Sequence, residues 1–271
     1  MIEALPSLAP ELAAQVRRRV IFDYRKWDPQ FGDVDVIAPF ALRITPATWR
    51  ELASHAEALA RELLEAEAAL LRDPRALAEL DLPPVIRALL ATRLAGPPTR
   101  TLARFVRFDF HPTDRGWQIS EANSDVPGGF LETSGLSRLM LEHHPAARAF
   151  GAPAGDPTDT LADAIAARLR SRGRVGLVHA TAYTDDRQSM LFLGDRLRAR
   201  GVEGVLCGPA ELTWSRGHAS IRGRTLDGLM RFFPAEWLPR LLLRGSWWRF
   251  FRGGETPVAS PGVALVSQSK R

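Results

Sequence analysis

Cysteine is almost missing from this sequence: Cys207 is the only one in 271 residues. One thiol excludes an intrachain disulfide and a cysteine zinc cluster. Long apolar runs are missing too. The most apolar region, residues 226–251, is broken by Arg231, Glu236, Arg240, Arg244 and Arg249, so no membrane span is expected. The first residues, Met1-Ile2-Glu3-Ala4-Leu5-Pro6, lack the basic start and apolar stretch of a secretory signal, and a cytoplasmic protein is the expectation. There is no Gly-x4-Gly-Lys-Ser/Thr phosphate loop, no Gly-x-Gly-x-x-Gly after a strand, no Gly-x-Ser-x-Gly elbow and no His-Glu-x-x-His. The commonest nucleotide, hydrolase and zinc-protease signatures are thereby excluded.

Lysine is scarce in a chain rich in arginine. Lys26 and Lys270 are the only lysines among 36 Lys and Arg residues. Arginine offers a planar fork, whereas lysine is a compact point charge suited to a phosphate oxygen. Lysines retained in such a chain mark positions where arginine does not fit. Asn123 is likewise the only asparagine. The net charge of +5 and a pI of about 10.2 raise the question of nucleic acid. The arginines are scattered through every segment rather than gathered into a stripe, so no nucleic-acid partner is expected.

What is present describes a globular chain. At 45% hydrophobic and 25% charged residues, wholesale disorder is excluded. Helical periodicity predicts helices over 10–18, 46–71, 74–80, 84–95 and 130–142. In the longest, Trp49, Leu52, Ala56, Leu59, Leu63, Ala66 and Leu70 form one stripe, read as core-facing. The loop Tyr24–Val34 reads as a packing strap. Residues 146–156, rich in Ala, Gly and Pro, divide a helical region at 1–150 from an α/β region at 151–271. There a helix at 160–170, a strand at 174–179, a helix at 187–200 and a strand at 202–206 form a βαβ unit, hence a parallel pair. Ser215–Gly223 reads as a small hairpin, 229–233 as a buried strand, the aromatics at 247–251 as core, and 263–267 as a last strand. His143 and His144 read as a surface helix cap. His111 and His179 end predicted strands and read either as members of the site or, at least equally, as satisfied structural histidines.

One stretch concentrates chemistry. Residues 103–125 hold two strands joined through Asp114-Arg115-Gly116, a hairpin pattern. With the turn there, Asp109 faces Glu121 and Arg107 faces Asn123. Carboxylates directly opposite on one face lie roughly 5 Å apart and repel unless a cation or proton separates them. Asp, Glu and Asn are hard oxygen donors that suit Mg²⁺ together with substrate phosphates, and Arg107 adds a fork for a transferring phosphoryl group. The residues alone leave this reading balanced against a surface hairpin with ordinary charges. After it, a helix starting near residue 130 brings an N-terminus that favours anions. Asp185 and Asp186, beyond the first strand of the βαβ unit, read either as carboxylates for a cationic ligand or as acids favouring a helix dipole.

Arg107-Phe108-Asp109-Phe110, followed by Ile119-Ser120-Glu121-Ala122-Asn123-Ser124-Asp125-Val126-Pro127, resembles the signature of glutathionylspermidine synthase-like proteins of the ATP-grasp superfamily. The interval from Asp109 to Glu121 and the Glu-x-Asn triplet both agree. The likeness continues through Thr184–Gln188, Arg231–Trp237 and Gln268-Ser269-Lys270. It implies ATP-dependent joining of a small-molecule or peptide carboxylate to an amine through an acyl phosphate. On the same resemblance, Asp109, Glu121 and Asn123 are Mg²⁺ ligands and Arg107 stabilises the transferring group. Lys270 and Arg107 contact ATP, and Asp185 and Asp186 receive the amine. The implied fold is α/β (α+β): a Rossmann-like pre-ATP-grasp βαβ sheet, a helical N-terminal region and a metal-binding β-hairpin. The chain stops one residue after Lys270, before the segment that forms most of the family's nucleotide lobe. A fragment, a separate chain supplying that lobe, or a non-catalytic binding scaffold are therefore the expectations that go with the resemblance.

Overall fold

A computed structural model of the chain describes residues 2–27, 29–93 and 100–268. At the start, strands β1 (Ile2–Ala4) and β2 (Leu42–Ile44) pair antiparallel, and helix α1 (Pro10–Phe22) lies between them in sequence. Helix α2 (Pro46–Arg72) begins where a cap and a proline predict. Thr45 Oγ1 accepts from the Thr48 N–H at 3.3 Å, and Pro46 occupies the first turn, where its missing donor is harmless. The apolar stripe of α2 is only partly covered, a departure from the core-facing reading. Trp49 and Ala66 are exposed, and the buried α2 residues are Thr48 and Glu67. Charge draws Glu67 inward: Arg104 Nη2 donates to its Oε2 at 2.8 Å. Helices α3 (Pro74–Glu79) and α4 (Pro84–Arg93) follow, as their prolines predict.

Strands β3 (Arg107–Thr113) and β4 (Gly116–Asn123) form the expected hairpin as a separate two-stranded sheet. Gly116 closes the turn at φ +91°, a conformation glycine adopts without a Cβ penalty. Helix α5 (Phe130–His143) starts after Gly129, which is also left-handed at φ +88°. His144 is buried rather than a surface cap. It does cap the following turn, accepting from the Ala147 N–H at 3.3 Å, and its Nε2 lies 2.7 Å from the Pro6 carbonyl.

The mixed α/β character expected from the sequence is present. Helix α6 (Pro157–Arg168) starts earlier than its periodicity predicts, because Asp156 Oδ1 accepts from the Asp159 N–H at 2.8 Å and Pro157 follows the cap. Strand β5 (Arg174–His179), helix α7 (Thr184–Arg198) and strand β6 (Glu203–Cys207) make the βαβ unit, with β5 and β6 parallel. Strands β7 (Gly228–Phe232) and β8 (Val258–Ala259) complete a parallel sheet in the order β8-β7-β5-β6. Residues 263–267 are not a strand. They lie in a 3₁₀ stretch, Gly262–Gln268, after Pro261 removes a ladder donor and its carbonyl accepts from Ala264 N–H at 3.0 Å.

Both faces of this sheet are covered, as parallel sheets require. Leu161, Ile165, Met190, Leu193 and Leu197 of α6 and α7 pack with Val175, Leu177 and Met230 on one face, and Phe130 of α5 joins them. Ile86 and Leu90 of α4 pack with Val178, Leu229, Phe250 and Phe251 on the other. The aromatic patch at 247–251 is thus core, as read. From β5 the chain passes through α7 to β6 on one side and later enters β7 on the other. The point between β5 and β7 is where such sheets open a crevice at their C-terminal ends.

Candidate functional site

The hairpin pairs the residues its sequence pattern predicts. Arg107 pairs with Asn123 and Asp109 with Glu121, and an irregularity after Asp109 shifts the rest of the ladder by one. The four side chains share one face because residues two apart on a strand point the same way. Arg107 lies among the carboxylates, with Nε 2.7 Å from Asp109 Oδ1 and Nη2 3.0 Å from Asp109 Oδ2. With the Asn123 amide turned so that its nitrogen faces Glu121, it donates to Glu121 Oε1 at 2.9 Å. Its oxygen then accepts from Arg107 Nη2 at 2.9 Å. The hydrogen bond from Arg107 to Asp109 holds the guanidinium pKa above its ordinary value against partial desolvation, and the charges of Asp109 and Glu121 add to it. The hairpin's own arginine thus pairs with one of the two facing carboxylates and lies in the field of the other. Arg107 Nη1 also donates to the Gly128 carbonyl at 3.4 Å, which brings this face to the start of α5.

An isolated two-stranded hairpin is marginally stable, so this one depends on its root. Asp125 is buried and forms an ion pair with the fully buried Arg231, and its Oδ2 accepts from the Ala235 N–H at 2.9 Å. Arg231 Nε donates to the Ser260 carbonyl at 2.7 Å and Nη1 to the Phe233 carbonyl at 2.5 Å. Gln268 Oε1 accepts from the Ser124 N–H at 2.8 Å and the Asp125 N–H at 3.1 Å. Ser267 Oγ adds a bond to Ser124 Oγ at 3.0 Å. Segments far apart in sequence, 123–125, 231–235 and 267–268, meet at one point.

A second group lines the C-terminal end of β5. Helix α7 starts at Thr184, three residues before its predicted start. Asp185 and Asp186 therefore lie in its first turn rather than in a free loop, where acids favour the helix dipole. Burial holds the Asp186 carboxyl above its ordinary range, opposed by a hydrogen bond from the Ala180 N–H and by His179. Lys26 reaches this turn from the strap, with Nζ 2.8 Å from Asp185 Oδ1 and 3.2 Å from Glu132 Oε1 at the start of α5. Desolvation alone would depress its ammonium; Asp185 and Glu132 outweigh that and hold its pKa above the ordinary value. The strap reading holds for residues 24–26: the Tyr24 ring packs 5.7 Å from Phe192, and Arg25 Nη2 lies 2.9 Å from Asp195 Oδ2. Tyr183 and Trp237 face each other at 5.9 Å across the crevice, joining the 184–188 and 231–237 segments.

The structure therefore brings Arg107, Asp109, Glu121 and Asn123 together and holds Asp185 and Asp186 on a separate helix turn. Lys270 lies outside the described residues. Sequence reasoning passed over Asp125, Arg231 and Gln268 as individual site residues, although it quoted all three within motif segments. Lys26 was flagged by scarcity alone, and its two acidic partners explain why a compact cation serves there. His179 is buried at the end of β5, with Nδ1 3.1 Å from the Leu177 carbonyl and no hydrogen-bond partner at Nε2. Cys207 is no nucleophile, because burial pushes its thiol up to about 12.

Among the described residues no group of three or more His, Cys, Asp and Glu side chains is placed to hold a metal. Two carboxylates and one amide are a sufficient protein share for Mg²⁺, which takes its remaining ligands from water and substrate phosphates. The donor set of the hairpin fits that ion. Comparison with protein-family models and with curated proteins finds no match to either.

Proposed function

We propose that this chain carries the metal-binding and phosphoryl-transfer end of an ATP-dependent carboxylate–amine ligase. The observation that supports it best is the placement of Arg107, Asp109, Glu121 and Asn123 on one hairpin face within hydrogen-bonding reach. Mg²⁺-bound ATP would supply the phosphoryl group that activates a carboxylate for attack by an amine. Asp109, Glu121 and Asn123 provide oxygens of the type Mg²⁺ selects. Arg107, whose charge is fixed at any accessible pH, is placed to neutralise charge developing on a transferring group. It holds Asp109 in a defined rotamer until a stronger cation competes for those oxygens. Asp185 and Asp186 present negative charge at the sheet's crevice, which suits a cationic amine, and the start of α5 adds backbone donors for an anion.

Calorimetry with ATP and Mg²⁺ on residues 1–271 tests this reading. Binding that requires Mg²⁺ and weakens at least roughly tenfold in Asp109→Asn is expected, by analogy with the loss of a metal-site partner. Equal binding by wild type and Asp109→Asn removes the metal assignment. A second reading, a non-catalytic scaffold for a peptide, polyamine or partner chain, draws on Arg107 already pairing with Asp109 and on Asn123 donating to Glu121. Absence of any Mg²⁺-dependent ATP binding selects it.

A further inference from the structure

A cavity of about 570 Å³ opens on the far half of α5, lined by β2, the start of α2 and residues 150–154. Ile37, Leu42, Trp49, Leu136, Met140 and Phe150 form its walls. Its size lies within the ~300–1,000 Å³ range of small-molecule clefts, and such clefts are apolar with a few placed polar groups. The apolar residues around it are unusually exposed for their size: Leu42 at 64%, Phe150 at 48% and Trp49 at 42%. A cluster of this kind at one concave place marks a binding surface rather than scattered surface hydrophobes. None of the candidate site residues read from the sequence lies in it.

The polar part of the lining decides the ligand class. Among the described lining residues the one charged group is Arg43, and no Asp or Glu contributes. Its guanidinium carbon sits 4.4 Å from the centre of the Phe150 ring, so the cation belongs to the cavity wall. Its acidic neighbour is Glu3 across the β1–β2 pair, at 3.7 Å, and both side chains are about half exposed (45% and 59%). An exposed ion pair of that length contributes little and is readily exchanged for another carboxylate. The guanidinium fork matches a carboxylate geometrically.

We propose that this cavity is a binding site for an amphipathic carboxylate, an acyl or arylalkyl chain seated against Met140 and Trp49 with its head group on Arg43. The site stands apart from the hairpin and does not rest on the ligase reading.

Titration with dodecanoate and with dodecanol, followed by calorimetry and by quenching of tryptophan fluorescence, tests it. Wild type is expected to bind dodecanoate saturably, one per chain, and to prefer it to dodecanol. Met140→Trp, which fills the cavity, is expected to weaken binding at least about tenfold, as lost apolar burial and steric exclusion require. Because Met140 is buried and its replacement can perturb folding, Arg43→Met provides the second measurement, at a half-exposed position. It is expected to remove the preference for the carboxylate, roughly a tenfold change for a charge-assisted bond, while leaving dodecanol binding intact. Three outcomes overturn the proposal: no saturable dodecanoate binding, equal affinity for dodecanol in the wild type, or unchanged binding by folded Met140→Trp. A dimer that Met140→Trp dissociates, without dodecanoate binding, assigns the surface to a second copy instead.

Discussion

Two arginine–aspartate pairs sit at the open end of the same hairpin, one on its face and one at its root, and they behave as different objects. Arg107 and Asp109 lie two residues apart on one strand, with side chains 44% and 33% exposed. Arg231 and Asp125 are brought together from distant parts of the chain, with side chains 0% and 4% exposed. Water screens the first pair, so it contributes little to stability and its carboxylate stays open to exchange. The second has no water to fall back on, and each partner is an uncompensated buried charge without the other. The hairpin face is built from exposed charge, and the joint that holds it is built from buried charge.

Removing one partner of the buried pair gives the largest effect. Asp125→Ala leaves the Arg231 guanidinium without a counter-charge and the Ala235 N–H without its acceptor, and is expected to destabilise the fold by about 3–5 kcal/mol. Urea unfolding followed by circular dichroism measures it; a loss below about 1 kcal/mol would show that the carbonyls around Arg231 suffice. Next comes Gln268→Ala, which strips one acceptor shared by the Ser124 and Asp125 N–H groups and is expected to cost about 1–3 kcal/mol. Hydrogen exchange at those two amides reads the same change locally, and unaltered protection there would mean that water replaces the glutamine. The smallest effect belongs to the exposed pair. Arg107→Met is expected to shift stability by less than about 1 kcal/mol. If the two pairs prove equally costly to disturb, the division into an exchangeable face and a fixed root fails.

Much of the fold was legible because its cues are local. Thr45-Pro46 at the start of α2, the Pro74 and Pro84 starts and the alternating runs around Asp114-Arg115-Gly116 act within a few residues, so they survive without tertiary context. Asp109 does face Glu121 as the pattern predicts, but the turn alone would set it opposite Ser120, and the irregularity after Asp109 restores the pairing. The misreadings are non-local. The stripe on α2 has core spacing, but Trp49 is left 42% exposed on the wall of an open cavity. Residues 263–267 are apolar enough for a strand, yet Pro261 and the short edge strand β8 leave no ladder for them to join. The helix start at Thr184 was missed because its acids suit both a loop and a first helical turn.

The sequence by itself determined the hairpin and the alternation that carries Arg107, Asp109, Glu121 and Asn123, because strand periodicity and a tight turn need no information beyond neighbouring residues, whereas the irregularity after Asp109 set their pairing. Only the tertiary structure decided which charges are exchangeable. Asp109 and Asp125 are the same residue type in one motif, and their difference is water. The first is left in it, and the second is packed against Arg231 on a strand that arrives more than a hundred residues later in the chain. Burial of that kind is a property of the whole fold, and no local pattern carries it.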